Sequence, residues 1–303
     1  MQEGKKVPVD LAATLRPLGV PFHDPTLRVT AREAVRATRT PDGPATVRLA
    51  VSDDGTLALQ GWGPGRDWAL DVAAAWDANP AVELPAPAPK LRVPGRATPL
   101  HALRLVRTHR VFELLVAIVL EQLVSGAEAS RAFSKLVRRF SEPAPGPFAD
   151  LWLPLGPEQI RAIPLAAFPA CGALPKQGAT LHELARRATR VEEAATMDAD
   201  AAERRLRAFP GVGVWTARSA MLRGMGFPDA VPLGDYHLPS VVAWNLAGEE
   251  RADDARMLAL LEPWRGQRGR VVRWIGSAGS MPPRRGPRAP MRPLDPSPRL
   301  GAR

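Results

Sequence analysis

The sequence predicts an α+β fold: a small antiparallel sheet with helices over residues 1–97, then a mainly α-helical region over residues 98–275. Three observations support this fold class. Two short apolar segments flank a turn signal in the first region, and five prolines follow between residues 84 and 99. Beyond these prolines, apolar residues recur at helical spacing as far as residue 275, where a basic tail of residues 276–303 begins.

The first region contains two predicted strands, at residues 45–51 and 56–61. Between them, the sequence Ser52-Asp53-Asp54-Gly55 is typical of a hairpin turn, because an Asp-Gly pair supplies the positive φ that tight turns need. Predicted helices lie at residues 31–36 and 67–77. The prolines of residues 84–99 suppress regular structure and predict a linker.

In the second region, residues 111–124 are predicted to form a central, buried helix, because Leu115, Ile118 and Val119 lie at helical spacing in a strongly apolar segment. Residues 127–140 are predicted to form an amphipathic helix with a basic polar side. Further helices are predicted at residues 157–163, 178–195, 201–209, 215–223, 236–246, 254–261 and 265–275.

Charge and composition narrow the function classes. The chain has a formal net charge of +10, and half of this excess lies in residues 276–303, where six arginines oppose one aspartate. A basic protein attracts polyanions, so nucleic acid is the expected partner. The single cysteine, Cys171, excludes an intrachain disulfide framework and a cysteine-ligated iron–sulfur cluster. The longest apolar run covers residues 114–120 and the N-terminus lacks a signal-peptide pattern, so we expect a cytoplasmic protein without a membrane partner.

A motif suited to holding a DNA backbone lies at residues 206–217. Asp200 is predicted to cap the preceding helix, with Glu203 three residues later in a capping-box arrangement. Gly211 and Gly213 then permit a tight turn and a close approach to another surface. A second helix follows at once, and its free N–H groups can bind a phosphate without reading the base sequence. A plain interhelical turn is the alternative.

A candidate catalytic carboxylate, Asp235, follows 22 residues after Gly213. It precedes a predicted helix whose first turns tolerate Pro239, because the N–H groups there have no partner within the helix. The helix dipole favours an ionised carboxylate at this position. Such a carboxylate beside a sugar can stabilise an oxocarbenium-like transition state or orient a water molecule. Alternatively, Asp235 is an ordinary helix cap.

Together the two motifs resemble those of the helix-hairpin-helix (HhH-GPD) DNA glycosylases, in which a Pro-Gly-x-Gly hairpin precedes an essential aspartate. Within that family the chain is most similar to the 3-methyladenine DNA glycosylase II (AlkA-type) branch and to its actinobacterial relatives. The resemblance covers residues 98–275 well and the N-terminal region more weakly. It implies that residues 98–275 form an HhH-GPD region, that Asp235 is the catalytic aspartate, and that Tyr236 completes the Asp-Tyr pair of this branch.

The resemblance also implies a base pocket, to which Trp215, Ser219, Tyr236 and Trp274 are expected to contribute. Trp215 stands where bifunctional members have a lysine that attacks the sugar, so lyase chemistry by that route is excluded. Trp215 instead matches an aromatic residue that lines the pocket of the AlkA-type enzymes, although core packing is an alternative. Ser219 stands where that pocket has a further aromatic residue, and Trp274 is the nearest candidate for a pocket tryptophan from the last helix.

DNA contacts are implied at two further turns. Residues 121–125 resemble a Gln-Leu-Val-Ser turn whose leucine fills the gap left by an extruded nucleotide, which assigns this role to Leu123 and places Gln122 on the same turn. Lys176 lies in another turn that matches the family and is a candidate phosphate contact. The alternatives are a core leucine for Leu123 and a solvated charge for Lys176. The expected DNA-binding set is completed by four hairpin residues, Gly211, Val212, Gly213 and Thr216.

These assignments imply a monofunctional DNA glycosylase of base excision repair, acting as a nucleoid-associated monomer on double-stranded DNA with damaged bases, without a metal or another cofactor. An extruded alkylated base, such as 3-methyladenine or 7-methylguanine, carries positive charge and stacks favourably on aromatic faces. Two alternatives stay open. One is a glycosylase for uracil, hypoxanthine or a mismatched base, which the polar Ser219 and His237 favour, and the other is a non-catalytic DNA-binding protein.

Overall fold

The computed structural model describes residues 9–53, 55–77, 84–91 and 100–283, and these residues form one four-stranded antiparallel sheet and thirteen α-helices. The predicted fold class, with a small sheet followed by a mainly helical region, is confirmed. Linker residues 92–99, tail residues 284–303 and the turn residue Asp54 lie outside the described residues. Within the described ranges, every helix is too short or too polar to cross a lipid bilayer.

The sheet consists of four strands in sequential order, each antiparallel to the next: β1 (Leu27–Val29), β2 (Glu33–Thr40), β3 (Gly43–Val51) and β4 (Leu57–Trp62). The last two are the predicted strands, and their register pairs Val51 with Leu57. Between them, Gly55 has a φ of +83° and donates its N–H to the carbonyl of Ser52 at 3.0 Å. The glycine of the Asp-Gly pair therefore supplies the predicted positive φ.

The helix predicted at residues 31–36 is wrong, because most of this segment lies in β2. β2 is hydrogen-bonded on both sides, so that Arg36 lies opposite Leu27 of β1 and opposite Val47 of β3. Glutamate, alanine and arginine favour helices locally, but helix propensity is a weak term that pairing with two neighbouring strands overrides.

The N-terminal region contributes two α-helices, α1 (Leu11–Leu15) and α2 (Arg66–Asp77). α1 is capped by Asp10, whose carboxylate accepts a hydrogen bond from the Ala13 N–H at 2.9 Å. Its five residues are too few for helical periodicity to be visible in the sequence. The predicted helix at residues 67–77 is α2, which packs against β3 and β4.

Eleven α-helices follow within residues 100–283. The predicted central helix is confirmed as α3, in which all ten residues are buried, although it ends at Leu120 rather than at residue 124. The helices are α3 (Val111–Leu120), α4 (Gly126–Phe140), α5 (Pro157–Ala162), α6 (Ala167–Cys171), α7 (Pro175–Arg186), α8 (Ala188–Glu192), α9 (Ala199–Arg207), α10 (Val214–Gly224), α11 (Leu238–Ala247), α12 (Asp254–Leu261) and α13 (Arg268–Ala278).

Several helix boundaries differ from the prediction. The segment predicted as a single helix at residues 178–195 breaks at Arg187, which has a φ of −119° and a ψ of +31° and separates α7 from α8. The helix predicted from residue 236 begins at Leu238, and the last helix continues beyond residue 275 to Ala278. These shifts matter at the candidate site, because they place Asp235 and Tyr236 in a turn rather than in a helix.

A buried carboxylate joins the sheet to the central helix. Glu113 of α3 accepts hydrogen bonds from Arg36 Nη2 at 2.9 Å and from Thr38 Oγ1 at 2.9 Å. It also accepts one from the backbone N–H of Arg39 at 2.6 Å. Burial lowers the pKa of Arg36, and the charge of Glu113 opposes this shift. All three donors belong to β2, so the sheet holds the helix that leads to the candidate site, and both contribute to one hydrophobic core.

Candidate active site and nucleic-acid interface

A glycine-containing turn joins α9 to α10. Gly211 has a φ of +83°, a conformation that favours glycine, and a Cβ there would lie 2.0 Å from Thr180 Oγ1. The next side chain, Val212, is buried and anchors the turn in the core. Gly213 caps α10 with a φ of −87°, and apart from its chain neighbours and the backbone of its own helix no atom of the described residues lies within 4 Å of the position of a Cβ. The helix–turn–helix predicted from the sequence is present, and its surface is open at Gly213.

The start of α9 differs from the predicted cap. Asp198, and not Asp200, is the N-cap, because its carboxylate accepts a hydrogen bond from the Ala201 N–H at 2.8 Å. Asp200 lies inside the first turn, so the helix begins two residues earlier than predicted. Glu203 does not complete a capping box; it accepts a hydrogen bond from Arg218 of α10 at 3.0 Å and so links the two helices of the hairpin.

Asp235 lies in the turn before α11, and its two carboxylate oxygens have different partners. Oδ1 accepts hydrogen bonds from the His237 N–H at 2.8 Å and from the Leu238 N–H at 2.9 Å. These contacts satisfy two N–H groups at the start of the helix, as a cap does. Oδ2 accepts a hydrogen bond from the indole Nε1 of Trp215 at 2.8 Å. Asp235 therefore holds the start of α11, whose N-cap is His237, through one oxygen and contacts the hairpin through the other.

A largely buried ion pair lies close to Asp235. Arg223 of α10 donates from both Nη atoms to the carboxylate of Glu121, at 2.8 and 2.7 Å. Burial acts to lower the pKa of Arg223, but the charge and hydrogen bonds of Glu121, with a smaller contribution from Asp235, raise it above its ordinary value. Arg223 is therefore a permanent cation within electrostatic range of Asp235.

The turn between α3 and α4 presents Leu123 to solvent. Leu123 has a φ of +59° and is 80% exposed, so the core-leucine alternative is wrong. Its neighbour Gln122 donates from Nε2 to the Gly211 carbonyl at 3.0 Å and to Thr216 Oγ1 at 2.8 Å. Gln177 of α7 donates to the Gln122 carbonyl at 2.8 Å from the other side. These contacts hold the turn against the hairpin, with the apolar side chain pointing away from the core.

The remaining predicted residues occupy varied environments. Trp215 is half-buried in the first turn of α10, and Ser219 is fully buried one turn later. Tyr236 is 90% exposed, with its ring edge-on to His237 at 4.8 Å between centroids. Trp274 is half-buried on α13. Lys176 is exposed in the first turn of α7, next to the Gln177 that reaches the Leu123 turn.

The hydrogen bonds bring together Gln122, Gly211 and Thr216, and separately Trp215 and Asp235, all on or beside the hairpin. Two contributors to this arrangement are not predicted from the sequence, Gln177 and the Arg223–Glu121 pair. A signal for Gln177 exists, because it stands three residues after Leu174 and caps the N–H of Leu174 at 2.7 Å. In the described ranges no group of three or more His, Cys, Asp or Glu side chains is placed to hold a metal ion.

Comparison with solved structures relates this architecture to known proteins. The 3-methyladenine DNA-glycosylase from Archaeoglobus fulgidus superposes with a TM-score of 0.66 at 17% sequence identity, over 89% of this chain and 94% of that chain. The 8-oxoguanine glycosylase/lyase from Clostridium acetobutylicum, solved in complex with double-stranded DNA containing cytosine opposite 8-oxoguanine, superposes with a TM-score of 0.55 at 10% identity, over 83% and 97%. By sequence, no family model and no curated protein matches. The superpositions show that the chain shares the fold of these two DNA glycosylases.

Proposed function

We propose that the chain is a monofunctional DNA glycosylase of base excision repair, which hydrolyses the N-glycosidic bond of an extruded alkylated base and leaves an abasic site. In this proposal residues 98–275 carry out the reaction as a monomer, on double-stranded DNA of the nucleoid. The observation that carries the proposal is the hydrogen bond between Trp215 Nε1 and Asp235 Oδ2, because it joins a turn suited to a DNA backbone to a carboxylate suited to sugar chemistry.

The first step is backbone binding at the start of α10. N–H groups in the first turn of a helix lack partners within the helix, and together with the helix dipole they favour a phosphate. The open surface at Gly213 allows a phosphate to come close, and Gly211 provides the turn that precedes it. This contact is independent of base sequence, as a repair enzyme that examines all DNA requires.

The second step is extrusion of the damaged nucleotide. Extrusion costs a few kcal/mol because stacking and pairing are lost, and a side chain that fills the gap offsets part of this cost. Leu123 is suited to this role, since it is apolar and exposed. The contacts of its neighbour Gln122 fix the position of the turn relative to the hairpin. Base pairs on either side of the gap would then contact Leu123 while the hairpin binds the neighbouring phosphate.

The third step is cleavage of the bond between the base and C1′ of the sugar. The base leaves with the electron pair of that bond, and positive charge develops on the sugar ring. In this proposal the Asp235 carboxylate stabilises that charge or orients the water whose oxygen adds to C1′. Trp215 occupies the hairpin position at which a lysine would attack the sugar, and an indole cannot form a Schiff base, so the strand stays intact.

The substrate class follows from the aromatic side chains near Asp235. Trp215 is half-buried, and Tyr236 directly after Asp235 presents almost its whole ring to solvent. A base alkylated on a ring nitrogen is cationic, stacks favourably on electron-rich rings and is already a good leaving group. We infer that such bases are the substrates. A glycosylase for a neutral base is the second candidate, which the fully buried hydroxyl of Ser219 on the same helix as Trp215 favours.

The test measures release of free bases from methylated duplex DNA by the wild-type protein and by Asp235→Asn. Asp253→Asn is a matched control, because Asp253 accepts from the N–H three residues later, that of Arg256 at 2.8 Å, at the start of α12, as Asp235 does from Leu238 at the start of α11. Strand cleavage is followed with and without alkali. The proposal expects release of 3-methyladenine or 7-methylguanine and alkali-labile, intact strands from the wild type and the control, and neither from Asp235→Asn.

Two results would count against the proposal. If Asp235→Asn and Asp253→Asn release bases equally well, the role of Asp235 is limited to holding the start of α11. If the wild type binds DNA but releases no base from alkylated, deaminated or mismatched duplexes, the chain is a DNA-binding protein without glycosylase activity.

A further inference from the structure

A loop of the N-terminal region, residues 19–26, presents an aromatic side chain at the surface. Phe22 at the tip of this loop is 55% exposed, although phenylalanine is among the residues most often buried. The next residue, His23, has a φ of +48°, a left-handed conformation that residues with a Cβ seldom adopt. Such conformations persist where the surrounding structure fixes them, and they are concentrated at functional sites. We call residues 19–26 the Phe22 loop.

Hydrogen bonds to one carboxylate hold the Phe22 loop in a single conformation. Asp24 accepts from the N–H and the hydroxyl of Thr26, both at 2.7 Å, through Oδ1. Its other oxygen accepts from the Val20 N–H at 2.9 Å, so the two sides of the loop are joined through this side chain. The position of Phe22 is thus set before any partner binds, and little conformational entropy is lost when its ring makes a contact.

The Phe22 loop lies against the first turn of α4. The Phe22 N–H donates to the buried hydroxyl of Ser130 at 3.0 Å, and that hydroxyl donates to the Gly126 carbonyl at 2.8 Å. A Cβ at Gly126 would lie 3.2 Å from Pro21 Cγ and 3.7 Å from Phe22 Cε2. One edge of the ring is therefore close to the first residue of α4, while more than half of the residue faces solvent.

This contact places Phe22 beside the turn that carries Leu123. Gly126 is three positions after Leu123. Consecutive Cα atoms are about 3.8 Å apart, so the Cα atoms of these two residues are at most about 11 Å apart. Base pairs follow one another at about 3.4 Å along a duplex, so this distance spans about three of them. Phe22 therefore lies within the length of duplex that flanks a gap filled by Leu123.

The Phe22 loop and the Leu123 turn share two properties. Each presents an exposed apolar side chain, and each contains a residue with a Cβ in a left-handed conformation, His23 in one and Leu123 itself in the other. The part of the chain that the structure describes has three non-glycine residues with a positive φ, and two of them belong to these neighbouring tips. The two tips thus form one rigid surface with two apolar projections.

We propose that Phe22 is a second apolar contact with damaged duplex DNA, which packs against the base pairs beside the gap that Leu123 fills. The inference rests on the proposed function and extends the DNA interface to the N-terminal region. Apolar side chains that enter the minor groove separate neighbouring base pairs and bend the duplex. A gap in the stack makes such bending easier, because stacking is already lost there. Phe22 therefore favours duplexes that are already opened at a damaged site.

The first arm of the test measures binding without catalysis. Fluorescence anisotropy compares a duplex that contains a tetrahydrofuran abasic analogue, which supplies the gap and has no base to release, with the same duplex without the analogue. Phe22→Ala should weaken binding of the analogue duplex roughly tenfold, which is typical for loss of one base–aromatic contact, and binding of the intact duplex less than about twofold. The variant keeps the N–H that binds Ser130, so it should unfold like the wild type.

Two control variants assign the effect to the ring of Phe22. Phe22→Tyr keeps the ring, and Met281→Ala removes another apolar side chain, which is 61% exposed. Met281 follows Ser280, which is bound to Asn245 near the end of α11 opposite Asp235. Both controls should bind the two duplexes like the wild type. The inference is overturned if Phe22→Ala retains the wild-type preference for the analogue duplex, or if either control loses as much of it as Phe22→Ala does.

The second arm locates the contact on the DNA. The fluorescent base 2-aminopurine, which brightens when it is unstacked, is placed one to four base pairs from the analogue on either side. The wild type should raise the fluorescence at one or more positions on one side, and Phe22→Ala should not. The same signal from both proteins at every position would overturn the inference.

Base release from methylated duplex DNA separates the inference from the proposed function. If the wild type releases bases but Phe22→Ala binds the analogue duplex as tightly as the wild type, the inference fails and the proposed function stands. If Phe22→Ala loses the preference for the analogue duplex but the wild type releases no base, the contact stands and the proposed function fails.

Discussion

Replacement of Leu123 by glycine is expected to stabilise the protein and at the same time to impair extrusion. Leu123 adopts a left-handed backbone with a φ of +59°, and four fifths of its surface is already exposed. A left-handed backbone costs a residue with a Cβ roughly 1–2 kcal/mol, and glycine avoids this cost. Glycine also adds roughly 0.5–1 kcal/mol of unfolded-state entropy, which opposes the gain. The free energy of unfolding should therefore rise by about 0.5–1 kcal/mol.

Leu123→Ala is the matched control. It removes the same exposed side chain but keeps the Cβ and hence the unfavourable backbone conformation, so its stability should stay within about 0.5 kcal/mol of the wild type. Both variants lack the side chain that fills the gap in the duplex. In both variants the cost of extruding the nucleotide is no longer offset by a leucine side chain in the gap. Base release should therefore slow by about tenfold for each 1.4 kcal/mol that this side chain contributes in the wild type.

The assay has two readouts. Urea unfolding followed by circular dichroism gives the free energy of unfolding, and single-turnover base release gives the rate. If Leu123→Gly is no more stable than Leu123→Ala, the backbone at this position is not strained and the first part of the reasoning fails. If both variants release bases at the wild-type rate, Leu123 does not fill the gap, whatever its exposure.

Gly211→Ala should lower the free energy of unfolding by more than about 2 kcal/mol, because its φ is positive and a Cβ would overlap a side chain of α7, and thermal unfolding would report this. Gly213→Ala should unfold like the wild type but bind duplex DNA more weakly in fluorescence anisotropy; unchanged binding would contradict a close phosphate at the hairpin. Trp215→Phe should slow single-turnover release by about tenfold, since it removes a half-buried hydrogen bond to a carboxylate; an unchanged rate would contradict this role. Burial acts to raise the pKa of Asp229, but hydrogen bonds and charge from Arg268 outweigh burial and lower the pKa. The ionised Asp229 carboxylate therefore stabilises the folded protein fully above the unfolded pKa of about 3.9, and this stabilisation is lost as the pH falls through the lower folded pKa. Asp229→Asn should accordingly flatten the acid side of a plot of unfolding free energy against pH, and an unaltered acid side would contradict it.

Local signals in the sequence were sufficient for the elements that depend on near neighbours. The apolar segment of α3, the positive φ of Gly55 and the two glycines of the hairpin all appear in the structure where the sequence places them. The helix predicted at residues 31–36 is wrong because pairing with β1 and β3, which lie elsewhere in the sequence, decides the conformation of this segment. Helix propensity cannot represent such partners.

The residues of the candidate site could be predicted from the sequence, but the contacts between them and their exposure could not. Leu123 lies near the end of the predicted apolar helix, so the sequence alone left a buried and an exposed position equally open. The end of α3 at Leu120 decides between them. The contact between Trp215 and Asp235 joins two separate turns and has no local signal.

The position of Glu113 bears on whether the helical region could exist as a separate, smaller enzyme. All three hydrogen bonds described for its carboxylate come from β2, so a chain truncated before residue 98 would expose the core face of α3 and leave this charge without those donors. Loss of the partners of a buried charge costs about 3–5 kcal/mol, which is a large part of the stability of an ordinary protein. Removal of the N-terminal region is therefore opposed both by the exposed core face of α3 and by the lost hydrogen bonds of one buried carboxylate. Glu113→Gln or Glu113→Leu would be the first change to make in any attempt to shorten the protein.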